Sequence, residues 1–242
     1  MSMLPYILEI DSLKISTFGF FAALAFFAAS FLLWKQLRDD YSEEDILTFT
    51  IDLFLAGIIG ARLLFVLENI SYFGINFIHW FLWGKYPGFT LPGAILGAAA
   101  FCYYWAKKKN WDLWLTADKM VIVFFLVQAI GGIGLVLSTG NHFDLVRLII
   151  SFVFLPISVL LAKNYRKFLW YKSGKVGFVA GSSFGFYFLL LGLLEFLKTN
   201  SIYLDRILYF LFSLICFYLI YKRSERNWKE DLTNAKTKFI SR

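Results

Sequence analysis

An all-α, polytopic membrane bundle of seven transmembrane helices is predicted by three features of this sequence. Seven stretches are apolar and near the length that crosses a bilayer. Hydrophobic residues make up 59% of the chain, against about 45–50% in soluble domains. Lysine and arginine gather in alternate connections between the stretches. A spanning helix needs about 20 residues to cross about 30 Å of hydrocarbon.

Residues 1–14 lack a basic start and a small-residue cleavage site, so the first stretch, 15–37, is expected to be retained as a helix. The second, 46–67, follows an acidic loop in which Ser42 and Asp45 mark a helix start, with carboxylates on the positive end of the dipole. Residues 69–90 are too polar to span but hold Tyr72, Phe73, Phe77, Trp80, Phe81, Trp83, Tyr86 and Phe89. Such rings settle at headgroup level, which predicts an outer amphipathic aromatic segment lying along the interface. The third stretch, 91–105, is short, and residues 87–90 are available to extend it. The remaining four are 117–137, 143–161, 176–197 and 203–221, so residues 1–221 form one membrane domain and 222–242 a basic tail.

Gly57, Gly60 and Ala61 give the second helix a small face, and Gly93, Gly97 and Ala98 do the same for the third. Small faces let membrane helices approach closely. Gly131, Gly132, Gly134 and Gly140 crowd one end of the fourth, where a helix can unwind and turn backbone amides toward an anion. Cys102 and Cys216 fall inside spans and read as small hydrophobes rather than a disulfide.

Counted over the connections, 17 lysines and arginines alternate strictly with 3. The positive-inside rule then puts the amino terminus outside and the carboxyl terminus in the cytoplasm. The net charge of +7 is therefore a topology signal and a contact for anionic lipid heads, not a nucleic-acid footprint. With that orientation Arg62, Glu68, Gln128, Asn141, His142, Asp144, Arg147, Glu195, Lys198, Asp205 and Arg206 lie toward the outside. Only Asp52, Asp118 and Lys119 lie toward the inside. A charge deep in a bilayer costs at least about 2.5–3.5 kcal/mol, so it faces protein, water or a ligand. Arg62, several residues inside the second helix, is the strongest candidate for binding an anion; an ion-pair partner such as Asp144 or Glu195 would explain it structurally. A solute transporter would carry paired repeats and mid-membrane polar groups, whereas this polar set lies outward.

Four segments in order resemble the prolipoprotein diacylglyceryl transferases. They are Leu13-Lys14-Ile15-Ser16-Thr17-Phe18-Gly19, then Gly60-Ala61-Arg62-Leu63-Leu64-Phe65-Val66-Leu67-Glu68-Asn69, then Gly88-Phe89-Thr90-Leu91-Pro92-Gly93-Ala94-Ile95-Leu96-Gly97, and Leu194-Glu195-Phe196-Leu197-Lys198. The resemblance implies a seven-helix enzyme of the bacterial plasma (inner) membrane that moves diacylglyceryl from phosphatidylglycerol to the cysteine of a lipoprotein signal peptide. It implies no metal and no other cofactor, and its partners are phosphatidylglycerol, the signal peptide and membrane lipids.

Four positions depart from the family pattern. Phe18 stands where the family has tyrosine, Pro92 where it has histidine, and Leu191 where it has arginine. Ala129-Ile130-Gly131-Gly132-Ile133-Gly134-Leu135 replaces a stretch that in the family carries arginine and asparagine, and keeps its glycines. A cysteine thiol near pKa 8.5 needs a base before it attacks, and the departing phosphate needs cations. Arg62, Glu195 and Lys198 remain as the lipid-binding set, and His142 is the candidate catalytic base. His79, in the aromatic segment, reads as interfacial. A non-catalytic homologue that binds anionic lipid or a membrane partner at the outer leaflet is the second reading.

The charge count predicts that 138–142 is outside and 165–175 inside. An impermeant thiol reagent added to intact cells is expected to label a cysteine introduced in the first segment and to miss one in the second. The reverse pattern inverts the assignment.

Overall fold

In hydrocarbon every backbone amide must find its partner within the protein, and a helix satisfies this within a single segment. The computed structural model describes residues 4–10, 13–74, 77–82, 88–171, 173–198 and 203–227. Lys85, the expected aromatic positions Trp83 and Tyr86, Pro87, and the tail from Trp228 onward lie outside these residues. A short hairpin, β1 (Tyr6–Ile10) and β2 (Leu13–Ser16), comes first. It is followed by α1 (Thr17–Leu37), α2 (Glu43–Glu68), α3 (Ile70–Phe73), α4 (Phe77–Phe81) and α5 (Leu91–Lys109). Then come α6 (Leu113–Thr139), α7 (His142–Asn164), α8 (Phe178–Phe196) and α9 (Tyr203–Arg223).

Six of the described helices are long and apolar enough to cross a membrane: α1, α2, α6, α7, α8 and α9. The expected third span exists as α5, but three of its 19 residues are the lysines that close it, which leaves a short apolar stretch. Residues 88–90 do not extend it, because Thr90 caps the helix and accepts a hydrogen bond from the Gly93 amide at 3.3 Å.

The start of the first span also differs from expectation. Ile15 and Ser16 belong to β2, paired antiparallel with β1, and α1 begins only at Thr17. Ser16 Oγ accepts from the Gly19 amide at 3.0 Å, so the same serine closes the strand and opens the helix. The hairpin is fixed to the bundle through Leu4 N, which donates to Leu137 O of α6 at 2.9 Å.

The helices pair by close approach. α1 packs chiefly along α6, α2 along α5, and α8 along α9, while α6 also meets α7 and α8. A Cβ on Gly60 of α2 would lie 2.8 Å from the Gly97 Cα of α5, so these glycines are what allow the two backbones to touch. Phe210, Phe217 and Ile220 of α9 sit against Gly192, Gly185 and Gly181 of α8. Of the glycines near the end of α6, Gly132 faces Leu148 and Gly134 faces Phe21, while Gly131 faces open space. α6 stays helical through Thr139 and Gly140 closes it in a left-handed conformation, so the unwinding allowed for is not observed. Cys102 and Cys216 are both unbridged.

α8 is the most enclosed spanning helix, with 67% of its apolar window buried. Its Tyr187, Phe188 and Leu191 join Phe125 of α6 and Tyr209 of α9 in one core cluster. At its amino end the cap residue is Gly177, which has no side chain to accept from the first amides. Asp118 of α6 supplies the acceptor instead, taking hydrogen bonds from Gly177 N at 2.6 Å and Ala180 N at 2.7 Å.

Asp118→Ala is therefore expected to lower the unfolding free energy in detergent by about 2 kcal/mol. Asp52→Ala, on the partly exposed side of α2, should stay within about 0.5 kcal/mol. Denaturant titration followed by tryptophan fluorescence makes the comparison; equal effects would show that Asp118 does not cap α8.

Candidate functional site

The polar residues at one end of the bundle come from four helices, at the ends of α2 and α8 and the starts of α7 and α9. Glu195, in the last turn of α8, is 2% exposed. Its Oε1 accepts from Lys198 Nζ at 2.7 Å and from Arg147 Nη2 of α7, so one buried carboxylate holds two cations. Lys198 follows the carboxyl end of α8, where the helix dipole favours positive charge, and its ammonium lies 5.5 Å from the Phe143 ring centre. The Tyr187 and Tyr209 hydroxyls are within electrostatic reach of Arg147. Arg206 of α9 donates to the Lys198 carbonyl at 3.4 Å and stands 5.1 Å from the Phe196 ring centre.

Beside this network, Glu68 at the end of α2 and Asp205 at the start of α9 bring their carboxyls within interaction range. Both Glu68 oxygens and Asp205 Oδ1 are buried, with no hydrogen-bond partner among the described residues. Asp205 is also within electrostatic reach of Glu195, Arg147 and Lys198. The assembly thus offers cations suited to a phosphate, next to carboxyl oxygens suited to accepting a proton or a hydrogen bond.

Arg62 occupies a different setting. It is 2% exposed, and its Nε donates to Trp80 O at 2.6 Å and its Nη1 to Gly88 O at 3.0 Å. The ring centres of Phe73, Phe65 and Phe89 lie 5.2, 5.6 and 5.9 Å from its guanidinium carbon. The expected acidic partners are engaged elsewhere: Glu195 holds Arg147 and Lys198, and Asp144 accepts from Thr139 Oγ1 at 3.0 Å. One guanidinium therefore ties both α4 and the approach to α5 onto α2. Next to it, Thr90 N donates to Ala61 O at 3.2 Å and reinforces the same join.

Of the sequence-predicted site residues, the structure brings Glu195 and Lys198 into direct contact and sets Arg62 among the aromatic rings. His142 opens α7 as an exposed residue, next to the Phe143 ring that receives Lys198. His79 lies on α4, half-buried. Leu191 is fully buried one turn before Glu195, and Pro92 is buried in the first turn of α5, where its missing amide costs nothing. Arg147 was placed among the outward polar residues without a role. The signal that finds it is the cost of a lone arginine in an apolar helix, which calls for a carboxylate on a neighbouring one.

The family model for prolipoprotein diacylglyceryl transferase matches residues 5–141. That range includes Arg62 and stops before His142, Arg147, Glu195 and Lys198. Among curated proteins, a phosphatidylglycerol–prolipoprotein diacylglyceryl transferase of Clostridium tetani is 35% identical over 139 residues, covering 56% of this chain and 54% of that protein. A protein of the same name from Dehalococcoides mccartyi is 32% identical over 136 residues, 55% of this chain and 51% of that one. One from Fusobacterium nucleatum is 28% identical over 171 residues, 70% of this chain and 56% of the relative. The chain thus spans about half the length of the curated relatives it matches.

Glu195→Leu strands two cations and is expected to cost about 3–5 kcal/mol of unfolding free energy. Lys198→Leu, which leaves Arg147 on the carboxylate, should cost about 1 kcal/mol. The double variant Arg147→Leu/Glu195→Leu should cost less than its two single changes added together. Unfolding titrations of the unsubstituted protein, the three single variants and the double variant in one detergent test this, and simple additivity would show that the pair is not coupled.

Proposed function

The chain belongs to the prolipoprotein diacylglyceryl transferase family, and from that premise we propose that it transfers diacylglyceryl from phosphatidylglycerol to a lipobox cysteine. The sulfur–carbon bond to the glyceryl unit forms as the carbon–oxygen bond to phosphate breaks. Glycerol phosphate leaves with the electron pair, and the thiol proton passes to a base. In this reading the seven longer helices, α5 included, all span the bacterial plasma membrane, with the amino terminus outside. The Glu195 network then faces the outer leaflet, where phosphatidylglycerol and a signal peptide meet.

The observation that carries the proposal is the buried Glu195 carboxylate holding Lys198 and Arg147 at the meeting of four helix ends. Glu195 fixes the direction of both cations, which stabilise charge on the departing phosphate, an effect that grows where water is excluded. Arg62 adds positive charge on the lipid side and holds the aromatic segment as a lip over the site. His142, at the mouth of α7 beside Phe143, takes the thiol proton. The second reading, a homologue that binds anionic lipid without turnover, is favoured by Pro92, which puts no proton-accepting side chain at the start of α5.

Purified protein given phosphatidylglycerol and a lipobox peptide is expected to release glycerol phosphate, more slowly than a family member with the complete motif. His142→Ala should lower that rate by about 10²–10⁴, while His79→Ala leaves it largely intact. A rate indifferent to His142 rejects its role as base. No release from protein that still retains lipid rejects transfer and leaves the non-catalytic reading.

A further inference from the structure

Glu68 ends α2 and Asp205 lies in the first turn of α9, and their carboxyls come within hydrogen-bonding reach of each other. Each residue as a whole is half-buried, but both Glu68 oxygens and Asp205 Oδ1 are shut away from solvent. A carboxylate only accepts hydrogen bonds. Two ionised groups here would leave enclosed acceptors unserved and set like charges side by side. One shared proton relieves both costs: the contact becomes a hydrogen bond, and a single negative charge remains.

The helix ends set where that proton resides. Glu68 is at the carboxyl end of α2, where the dipole disfavours negative charge; Asp205 is at the amino end of α9, where it is favoured. Arg147 and Lys198 are within electrostatic reach of Asp205, against the one negative charge of Glu195, and the Tyr209 hydroxyl also faces it. Glu68 is therefore the un-ionised partner, and Asp205 is the carboxylate that receives its hydrogen bond.

We propose that the Glu68–Asp205 pair is the acid of the reaction, passing its shared proton to the phosphate as that group leaves the glyceryl carbon. The inference rests on the transferase reading and deepens it by giving the leaving group a proton donor. As the sulfur–carbon bond forms, the carbon–oxygen bond breaks and its electron pair stays on the phosphate oxygen. The phosphate, held by Lys198 and Arg147, then gains a second negative charge, which the Glu68 proton cancels. Glu195 does not serve here, because it is ionised and bound to two cations. The thiol proton taken by His142 returns to the pair through water, so one thiol proton ends on one glycerol phosphate.

Glu68→Gln tests the acid, because its amide keeps a hydrogen bond to Asp205 but has no proton to release. With phosphatidylglycerol and a lipobox peptide, thioether formation should fall about 10²–10⁴-fold. With a diacylglyceryl donor carrying sulfate in place of glycerol phosphate, whose leaving group needs no proton, the variant should nearly match the unsubstituted protein. A second measurement stands should Glu68→Gln fail to fold. The infrared spectrum of the unsubstituted full chain should show the carbonyl band of an un-ionised carboxylic acid, shifted when glutamate carries heavy carbon at its carboxyl group. Equal losses with both donors, an unimpaired variant, or no such band would each overturn the proposal. A band that shifts as expected, with no thioether from either donor, rejects transfer itself and the acid role with it. Thioether formation without the band rejects the acid pair alone.

Discussion

A carboxylate enclosed in an apolar bundle costs several kcal/mol unless it is paired, and Glu195 meets that requirement with two cations at once. Arg147 comes from α7 and Lys198 from the chain just beyond α8, so satisfying one charge fixes how those segments meet. The order carries onward through the Lys198 carbonyl to Arg206 of α9. Tyr187 and Tyr209, both nearly fully buried, fill the space beneath Arg147 and connect the polar end to the aromatic core. A purely apolar contact at this point would tolerate sliding; an ion pair with two directional partners does not. The positions of the polar groups at this end of the bundle therefore depend on this carboxylate more than on any single apolar contact.

Arg62 solves the same problem by another route. Among the described residues, two backbone carbonyls and three rings surround it. Those carbonyls belong to Trp80 of α4 and to Gly88, two residues before the Thr90 cap of α5. The guanidinium serves them while its faces meet aromatic rings, an environment suited to its planar, weakly hydrated charge. Gly60 and Gly97 complete the arrangement by letting α2 and α5 come together below it.

Much of this was legible in the sequence because a bilayer simplifies the code. Apolar runs located the long helices, small residues marked the α2–α5 contact, and Glu68, Arg147, Glu195, Lys198, Asp205 and Arg206 assemble at one end of the bundle. The hairpin was missed because residues 6–16 sit beside an apolar run, and a short two-stranded pairing leaves little periodicity to read. The partners of Arg62 and Arg147 were not legible for a different reason. Hydropathy says that a charge must be satisfied, but not which helix lies alongside. Arg62 met carbonyls where a carboxylate was expected, and Glu195 went to Arg147, a residue given no role. Asp118 is a similar case: its task is to cap a helix that starts about sixty residues later, which no local pattern encodes. The roles proposed for His142 and Lys198 rest on their places in the chain and, for Lys198, on family likeness.

The pairing of α1 with α6 bears on how the chain is assembled during synthesis. α6 is tied to α1 by Lys119 Nζ to Gln36 O at 2.6 Å, and near its other end to the residues before β1 by Leu4 N to Leu137 O. Yet α1 leaves the ribosome roughly five to twenty seconds before α6, at about 5–20 residues per second. During that interval α1 has only the hairpin and α2 as native neighbours, through contacts such as Phe26 with Phe54. Contacts so distant in sequence form late, after the cost of closing a long loop has been met. The hairpin therefore gains its Leu137 anchor only once α6 has been made.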